Sequence, residues 1–396
     1  MVNAWKIAGL IVALGTGNVA ASEDDEALYM QRFQAAAGRA MESYDPLEAV
    51  AGAGKVQPLP TATNQRAISS GALEQARAYA AANNSKALLI WHDGRLVAET
   101  YFGGTDANTL LVSRSMAKPI GAIAVGRAIS RKAIRSLDQP MSDSIPEWRN
   151  TPKAPTLVRH ILDMRSGLLG QGASRDPASI LNRAYLHPRH GEIIVNEYPL
   201  TNVPGEVYDY SNATGDLAAV LIERATKIRY GEFVSREVLA PLGAAGGKIW
   251  TSREGGLAHS GCCILLPAQT WMRLGVALLN NGMWNGRQYL PKGYVEAMRT
   301  PTAVNPTYGL GVYASKTYVV RTFYGRPNQG LTSAYQSEPY EAPDVFLFDG
   351  NAHQVLYMIP SQKLAILRMG DMPPATPEWD NAVLPNIILR DMARRK

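Results

Sequence analysis

Strand-like segments lie towards the two ends of this chain and helical ones fill its middle, an arrangement that few folds accommodate. Ala87–His92 and Arg95–Phe102 are apolar runs on either side of Asp93-Gly94, the pattern of a β-hairpin closed by a two-residue turn. Strand patterning returns only beyond residue 300, at Tyr308–Tyr313, Thr317–Phe323, Val345–Phe348, Val355–Ile359 and Leu364–Met369. Between these groups the chain reads as helical at Thr156–Met164, Leu217–Arg224, Phe233–Leu242 and Pro267–Gly282, the last with proline in its first turn. Ala-rich residues 70–83 and the closing residues 376–393 read as helices, and a short helix is expected near Ala27–Ala40 in an otherwise polar lead-in. The simplest assembly joins the two ends in one antiparallel sheet flanked by helices, an α+β (or α/β) fold, with a mostly helical second domain inserted. The expected division is a discontinuous α/β domain of residues 22–112 and 291–396 and a mainly helical domain of residues 113–290.

With 396 residues the chain is long enough for two packed regions. Its 46% hydrophobic and 19% charged content is that of a globular protein and excludes a disordered one. The net charge is +6, but apart from Arg394-Arg395-Lys396 the basic residues are scattered and form no stripe interleaved with aromatics, so no nucleic-acid partner is expected. Residues 1–21 read as a secretory signal: Lys6 near the amino terminus, an apolar run from Ile7 to Leu14, a small-residue cleavage site at Val19-Ala20-Ala21, and polar Ser22-Glu23-Asp24-Asp25 after it. The apolar run is short for a membrane span. The alternative is an uncleaved N-terminal anchor, and either way the body of the protein is expected to be exported, periplasmic or secreted. The only cysteines are the adjacent Cys262 and Cys263, and because neighbouring cysteines rarely bridge, no disulfide framework is expected.

The chemistry concentrates at Val112-Ser113-Arg114-Ser115-Met116-Ala117-Lys118-Pro119, which runs into apolar Ile120–Val125. The spacing predicts a helix that opens at Ser115 and enters the core. Residues three apart lie about one turn apart, so Ser115 and Lys118 share a face. A serine hydroxyl is a weak nucleophile at neutral pH and needs a base within reach. A lysine serves as that base when burial destabilises its ammonium form. The helix start also presents unpaired N–H groups that can hold the charge of an attacked carbonyl. Of the 22 serines, only Ser115 has a lysine three residues on.

A second segment, Tyr208-Asp209-Tyr210-Ser211-Asn212, follows the Pro204-Gly205 turn and precedes a helix, which places it on a loop. Tyr210 can shuttle a proton if the Lys118 ammonium stabilises its phenolate. Asn212 can donate to a substrate carbonyl or hold Lys118 in place. Of the 18 tyrosines, only Tyr210 has an asparagine two residues on.

With Ser-Met-Ala-Lys at 115–118 and Tyr-Ser-Asn at 210–212, the chain resembles the serine β-lactamase-like (penicillin-recognising) superfamily. Within it, the resemblance is nearest to 6-aminohexanoate-dimer hydrolases and their relatives. Leu137-Asp138-Gln139-Pro140, Val158–Leu168, Pro204-Gly205, Leu278–Gly282, Trp284–Arg287 and Tyr308–Gly311 are similar to the family's connecting framework, and the similarity covers roughly residues 85–370. It implies a β-lactamase-like fold with the active site between the sheet-containing domain and the helical one.

The family's third motif, Lys-Thr-Gly on an inner strand, is missing. Lys316-Thr317 is followed by Tyr318 and lies too early in the chain. The corresponding position reads Asp349-Gly350-Asn351-Ala352-His353-Gln354, where relatives in the amide-hydrolase branch tend to have Gly-x-x-Gly-Gln. An edge strand there, facing the nucleophile, would donate a backbone N–H to the oxyanion hole. Asn351 is the expected donor beside Ser115, with Ala352 next. Ala352, His353 and Gln354 are candidates for the substrate pocket, His353 with a purely structural role as its alternative. His187 and His190 show no third ligand nearby, so no metal is expected. No Gly-x-Ser-x-Gly elbow, dinucleotide fingerprint or phosphate loop occurs, and no cofactor is required.

The resemblance and the residues together predict an exported serine hydrolase that cleaves an amide or ester bond of a small molecule through an acyl-enzyme on Ser115, with Lys118 and Tyr210 as acid–base partners. β-Lactamase activity, D-alanyl-D-alanine carboxypeptidase or esterase activity, and a non-catalytic binding relative are the alternatives. The first two carry less weight because the Lys-Thr-Gly lysine that helps hold a substrate carboxylate is absent.

Overall fold

A computed structural model describes residues 22–36, 44–63, 66–325 and 333–395. The expected signal segment, residues 1–21, lies outside the described residues. No helix among the described residues is long and apolar enough to cross a membrane.

The predicted hairpin forms as β2 (Ser85–His92) and β3 (Arg95–Tyr101). It is completed by β9 (Tyr313–Ala314), β12 (Phe346–Gly350), β13 (Gln354–Ile359) and β14 (Leu364–Gly370) into a six-stranded antiparallel sheet of order β3-β2-β14-β13-β12-β9. The two ends of the chain meet where β14 pairs with β2, Ile366 opposite Ile90. Side chains alternate along each strand, and both faces are apolar. Leu356 and Met358 of β13 point into one core with Leu89 of β2 and Leu274 of helix α9 (Ala268–Leu279). Val355, Tyr357 and Ile359 point into the other, under α2 (Ser70–Ala82) and α11 (Val383–Arg394), whose Ala76 and Ile388 fill it. Gly275 of α9 lets the helix settle on the sheet, since a Cβ there would stand 2.7 Å from Leu356 Cδ2. Burying each large aliphatic side chain contributes about 1.5–3 kcal/mol, which is why the two-sided sheet is the rigid wall of the site.

The middle of the chain carries α3 (Ala117–Ser130), α4 (Val158–Leu162), α5 (Ile180–Leu186), α6 (His190–Asn196), α7 (Asn212–Thr226) and α8 (Tyr230–Phe233). Helix α3, apolar on nearly every side, is buried along most of its length and packs on α7. The stretch expected as Phe233–Leu242 begins as α8 and continues as a wider helical turn, Val234–Leu239.

Three features depart from the sequence reading. First, a four-stranded sheet of order β1-β5-β6-β4 joins β1 (Leu47–Gly52), β4 (Leu111–Val112), β5 (Ala245–Trp250) and β6 (Ile264–Leu266). Its glycines explain why it left no strand signal: a Cβ on Gly246 would lie 1.8 Å from the Val50 carbonyl, and one on Gly247 1.9 Å from that of Leu265. Close backbone passage replaced the usual β-branched pattern. Second, α9 belongs by sequence to the 113–290 stretch yet packs on the six-stranded sheet. Likewise Tyr308–Tyr313, expected as a strand, folds back on itself through Gly311 at φ +73°, and only Tyr313 and Ala314 join the sheet.

Candidate active site

Strand β4 delivers the chain to the nucleophile. Ser113, the next residue, is locked to β6 by its N–H to the Ile264 carbonyl (2.9 Å) and by the Ile264 N–H to its Oγ (3.0 Å). Arg114 then adopts a left-handed φ of +50°, a conformation that a side chain holds only at some cost. This sharp turn throws Ser115 up, and one turn of 3-10 helix, Arg114–Met116, runs into α3. The expected helix start is therefore tighter than an α-turn.

Lys118 sits in the first turn of α3, 6% exposed. Its Nζ lies 3.3 Å from Ser115 Oγ, 2.7 Å from Asn212 Oδ1 and 2.7 Å from the Gly261 carbonyl. Three acceptors match the three protons of an ammonium. Burial nevertheless destabilises the charge and pulls the lysine down to about 7, against the opposing pull of Asp216. Near neutral pH it is thus divided between an acid and a base, with the nucleophile in reach. Of the two roles open to Asn212, this geometry is the one that holds Lys118.

Tyr210 covers the pair. Its ring centroid lies 4.6 Å from Lys118 Nζ and its hydroxyl interacts with Ser115. Burial raises the phenol well above its ordinary value, more than the Ser115 hydrogen bond lowers it. Tyr210 is therefore a protonated phenol at rest and not a stabilised phenolate. Gln171 ties this loop down: its N–H donates to the Tyr210 carbonyl at 2.6 Å, and its side-chain oxygen accepts from Asn212 N–H at 2.8 Å.

These residues open on a cavity of about 200 Å³ lined by Ser115, Gln171, Tyr210, Asn212, Tyr324, Gly350 and Asn351. Gly350 ends β12 in extended backbone, and its flank presses on the nucleophile turn: a Cβ would lie 2.7 Å from the Ser113 carbonyl and 3.1 Å from the amide nitrogens of Ser115 and Met116. Tyr324 donates to Asp349 Oδ1 at 2.6 Å, and burial pushes the Asp349 carboxyl up to about 7, the Tyr324 and Asn381 hydrogen bonds opposing it.

Asn351 reaches the cavity, but from the turn Asn351–His353 and not from an edge strand; the sheet's edge is the two-residue β9. Ala352, His353 and Gln354 do not line the cavity. Ala352 is left-handed (φ +61°) and turns its carbonyl to Arg368 Nη1 (2.6 Å) and Gln354 Nε2 (3.2 Å). Gln354 also brackets Gly370, giving to its carbonyl and taking from its N–H. His353 stacks on Trp379 at 5.7 Å, and burial, helped by Arg368, lowers it to about 4. These residues brace the turn that carries Asn351. The chief brace is Arg368, fully buried, whose donors reach Ser85 Oγ and the carbonyls of Ala352, His353, Asn83 and Asp371. Lys316 and Thr317 follow β9, away from the nucleophile cavity.

One group among the described residues brings metal-ligating atoms together: His190, Asp216 and His259, all buried. The sequence reading saw no further ligand beside His190; folding supplies two. The rings of His190 and His259, however, stack at 3.9 Å with only 15° between their planes, and Trp250 stacks on the far face of His259 at 3.6 Å. Imidazole lone pairs lie in the ring plane, so two stacked rings cannot both point at one ion. The trio does not fit a metal. Cys262 and Cys263, expected to stay apart, are bridged to each other directly after Gly261.

The sequence matches the Beta-lactamase family model over residues 72–377. A 6-aminohexanoate-dimer hydrolase of Paenarthrobacter ureafaciens is 24% identical over 221 residues, covering 54% of this chain and 56% of that protein, so the match spans little more than half of the relative's length. Among solved structures, a protein of Bacillus anthracis assigned as a 6-aminohexanoate-dimer hydrolase superposes with a TM-score of 0.65 at 20% identity over 90% of both chains. EstCE1, a hydrolase with promiscuous acyltransferase activity, gives 0.58 at 15% identity, over 81% of this chain and 96% of its own. A D-stereospecific amidohydrolase of a Streptomyces species gives 0.54 at 19%, over 77% and 95%. At such identities the superpositions speak for the fold alone, and the family match carries the assignment: this chain belongs to the Beta-lactamase family.

Proposed function

We propose that the protein cleaves an amide or ester bond of a small molecule through an acyl-enzyme on Ser115. The observation that carries this reading is the placement of Lys118 Nζ, 3.3 Å from Ser115 Oγ and buried enough to lose its proton near neutral pH. Neutral Lys118 takes the Ser115 proton, and Oγ attacks the carbonyl carbon. The N–H groups of Ser115 and Asn351 receive the oxyanion. Tyr210, protonated at rest, passes its proton to the leaving nitrogen or oxygen and is resupplied from Lys118. Water then attacks the acyl carbon as the same groups take its proton, and that proton passes to Ser115 Oγ as the acyl–Oγ bond breaks, freeing the acid and restoring the serine. Asn212 and the Gly261 carbonyl hold the lysine throughout.

Amide and ester substrates rank above β-lactams because no lysine of a Lys-Thr-Gly motif stands ready for a substrate carboxylate. The cavity lining is instead partly aromatic, with Tyr210 and Tyr324. The names of the similar amide and ester hydrolases support the same ranking. Residues 1–21 support export to the periplasm or beyond. Intact mass of the exported protein checks this: a chain beginning at Ser22 is expected, and a retained Met1 means an anchor.

The test of the function is covalent labelling with a fluorophosphonate and turnover of a p-nitrophenyl ester beside linear amides and a cephalosporin. Wild type is expected to label and to hydrolyse the amides or esters, and Ser115→Ala to do neither while keeping its melting temperature. Turnover by Ser115→Ala near the wild-type rate refutes the assignment.

A further inference from the structure

Behind the nucleophile, on the side away from the cavity, a buried hydrogen-bonded chain runs back from Lys118. Its Nζ donates to the Gly261 carbonyl at 2.7 Å. The N–H of the same glycine donates to Asp216 Oδ1 at 2.7 Å. The other oxygen, Asp216 Oδ2, faces His259 Nδ1 at 3.1 Å and His190 Nε2 at 3.4 Å, the latter too oblique for a hydrogen bond. Asp216 is 1% exposed, and no lysine or arginine forms an ion pair with it among the described residues. A buried carboxylate with no cationic partner is an expensive feature for a core.

The local sequence is built to bring this carboxylate close. Gly215, one residue before it on α7, leaves room for both partners: a Cβ there would stand 2.9 Å from Gly261 Cα and 3.2 Å from Lys118 Cε. Gly261 is equally confined, with the Asn212 carbonyl 2.9 Å and Asp216 Oδ1 3.2 Å from where its Cβ would be. Ser260 bonds to the Gly215 carbonyl and the Ala219 N–H, which fixes the loop on the first turns of α7. One short element therefore presents Asn212 to the lysine directly and Asp216 to it through a single residue.

We propose that Asp216 is a positioning residue of the hydrolase reaction, its carboxylate acting through Gly261 to set the charge state of Lys118. The inference rests on the Ser115–Lys118 reading above and extends it to a residue that touches neither substrate nor nucleophile. The groups that face Asp216 are Lys118 from α3, Tyr185 from α5, His190 from α6, Tyr230 from α8, and His259; Arg32, on the helix Glu23–Ala36 (α1), bears on His259. Tyr210 faces Lys118 with its ring. Burial would raise the Asp216 carboxyl, but the two histidines, with the hydrogen bond from His259, hold it well below the usual carboxylate range, so it is an anion wherever the enzyme works. Burial lowers His259 to about 4, so this imidazole is neutral there and does not cancel the anion. The anion favours the ammonium form of Lys118 and offsets part of its burial. Without it the lysine would give up its proton at a still lower pH.

The sign of the test follows. If neutral Lys118 is the base, the acid limb of the labelling rate lies near pH 7 in wild type, where burial has placed the lysine. Removing the carboxylate charge moves that limb down. A lone charge at this remove accounts for a shift of about one pH unit. The experiment is the pH dependence of fluorophosphonate labelling for wild type, Asp216→Asn and His259→Gln. The position of the limb does not depend on what fraction of a preparation is folded. Asp216→Asn is expected to shift the limb down by about one unit, and His259→Gln, which keeps the carboxylate, to stay within about 0.3 unit of wild type. Asp216→Ser, a second charge-free replacement, serves if the asparagine variant gives no labelled protein. An unmoved limb in the charge-free variants, equal shifts in all variants, or failure of both charge-free variants to fold overturns the proposal; the last would make Asp216 a structural residue. Absence of labelling in wild type would instead refute the hydrolase reading, so the two failures are distinct.

Discussion

Gly350→Ala tests how closely the nucleophile turn and the sheet must fit. Gly350 has extended backbone (φ −142°, ψ 154°) that alanine adopts without strain, so any effect comes from the added methyl alone. That carbon would sit 2.7 Å from the Ser113 carbonyl and 3.1 Å from the amide nitrogens of Ser115 and Met116. Ordinary contact begins near 3.4 Å, so the turn and the strand must part by about 0.7 Å at the Ser113 carbonyl and about 0.3 Å at the amides, roughly half an ångström between them. Neither side yields easily: Ser113 is bonded twice to β6, and β12 is paired along its length with β13. Overpacking of this kind costs about 1–3 kcal/mol. The displaced groups include the Ser115 amide, a proposed oxyanion donor. Misplacing a reacting group by 1 Å costs about 10²-fold and losing one oxyanion donor about 10²–10³-fold, so a half-ångström shift is expected to lower kcat/KM by about 10–10²-fold. The assay is kcat/KM on an activated ester with melting temperature alongside, and Gly54→Ala, where nothing lies within 4 Å, serves as the control. Activity within threefold of wild type and an unchanged melting temperature would show that the strand does not define the oxyanion site.

Lys118→Ala and Tyr210→Phe are each expected to lower kcat by at least about 10²-fold, with the double variant little worse than the poorer single, because residues that share one proton path lose non-additively; multiplying losses in folded protein would separate their roles. Arg368→Met removes a donor from four carbonyls and the Ser85 hydroxyl, Ala352 alone keeping Gln354 Nε2; with about 1–3 kcal/mol for each buried acceptor left unpaired, a loss of about 3–5 kcal/mol in chemical denaturation is expected, and a loss below about 1 kcal/mol would show that the turn stands without it. Asp349 is raised to about 7 in the fold, above its unfolded value, so its contribution to stability is fully present below about pH 4 and is lost as pH rises to about 7. The wild-type melting temperature should fall over that window, while Asp349→Asn should show a flatter profile and melt higher than wild type at pH 8; parallel profiles would place the titration elsewhere.

The parts of the site that act through side chains at short sequence spacing were legible before the fold was known. Ser115 and Lys118 are one turn apart, and Tyr210 and Asn212 two residues apart, so local geometry nearly dictates their company. The sheet was legible where strands alternate about a tight turn, as at Asp93-Gly94. What stayed hidden works through backbone or over long separations. Gly261 contributes a carbonyl and an N–H, which any residue possesses. Gly350 contributes the absence of a side chain. Gln171 is an ordinary loop glutamine until folding carries it to Tyr210. Arg368 reads as one charge in an apolar strand, yet it is the residue that holds the turn after β12 in place. The signal that could have found it is that anomaly: an arginine in the middle of Leu364–Met369 has to be buried with partners. The glycines of β5 left no strand pattern because their role is to let β1 and β6 come close. Ala352, His353 and Gln354 were placed in the pocket because a strand was expected to continue through them, whereas two left-handed residues, Ala352 and His353, turn the chain away.

The floor and walls of the cavity come from stretches far apart in the sequence. Ser115 rests against Gly350, and the turn carrying Asn351 is held by Arg368, far beyond the nucleophile along the chain. Contacts so distant along the chain form late, after the entropy of closing large loops has been met. A fragment that holds Ser115 and Lys118 without Gly350 and Arg368 therefore carries the motif but lacks the wall against which the nucleophile turn is set.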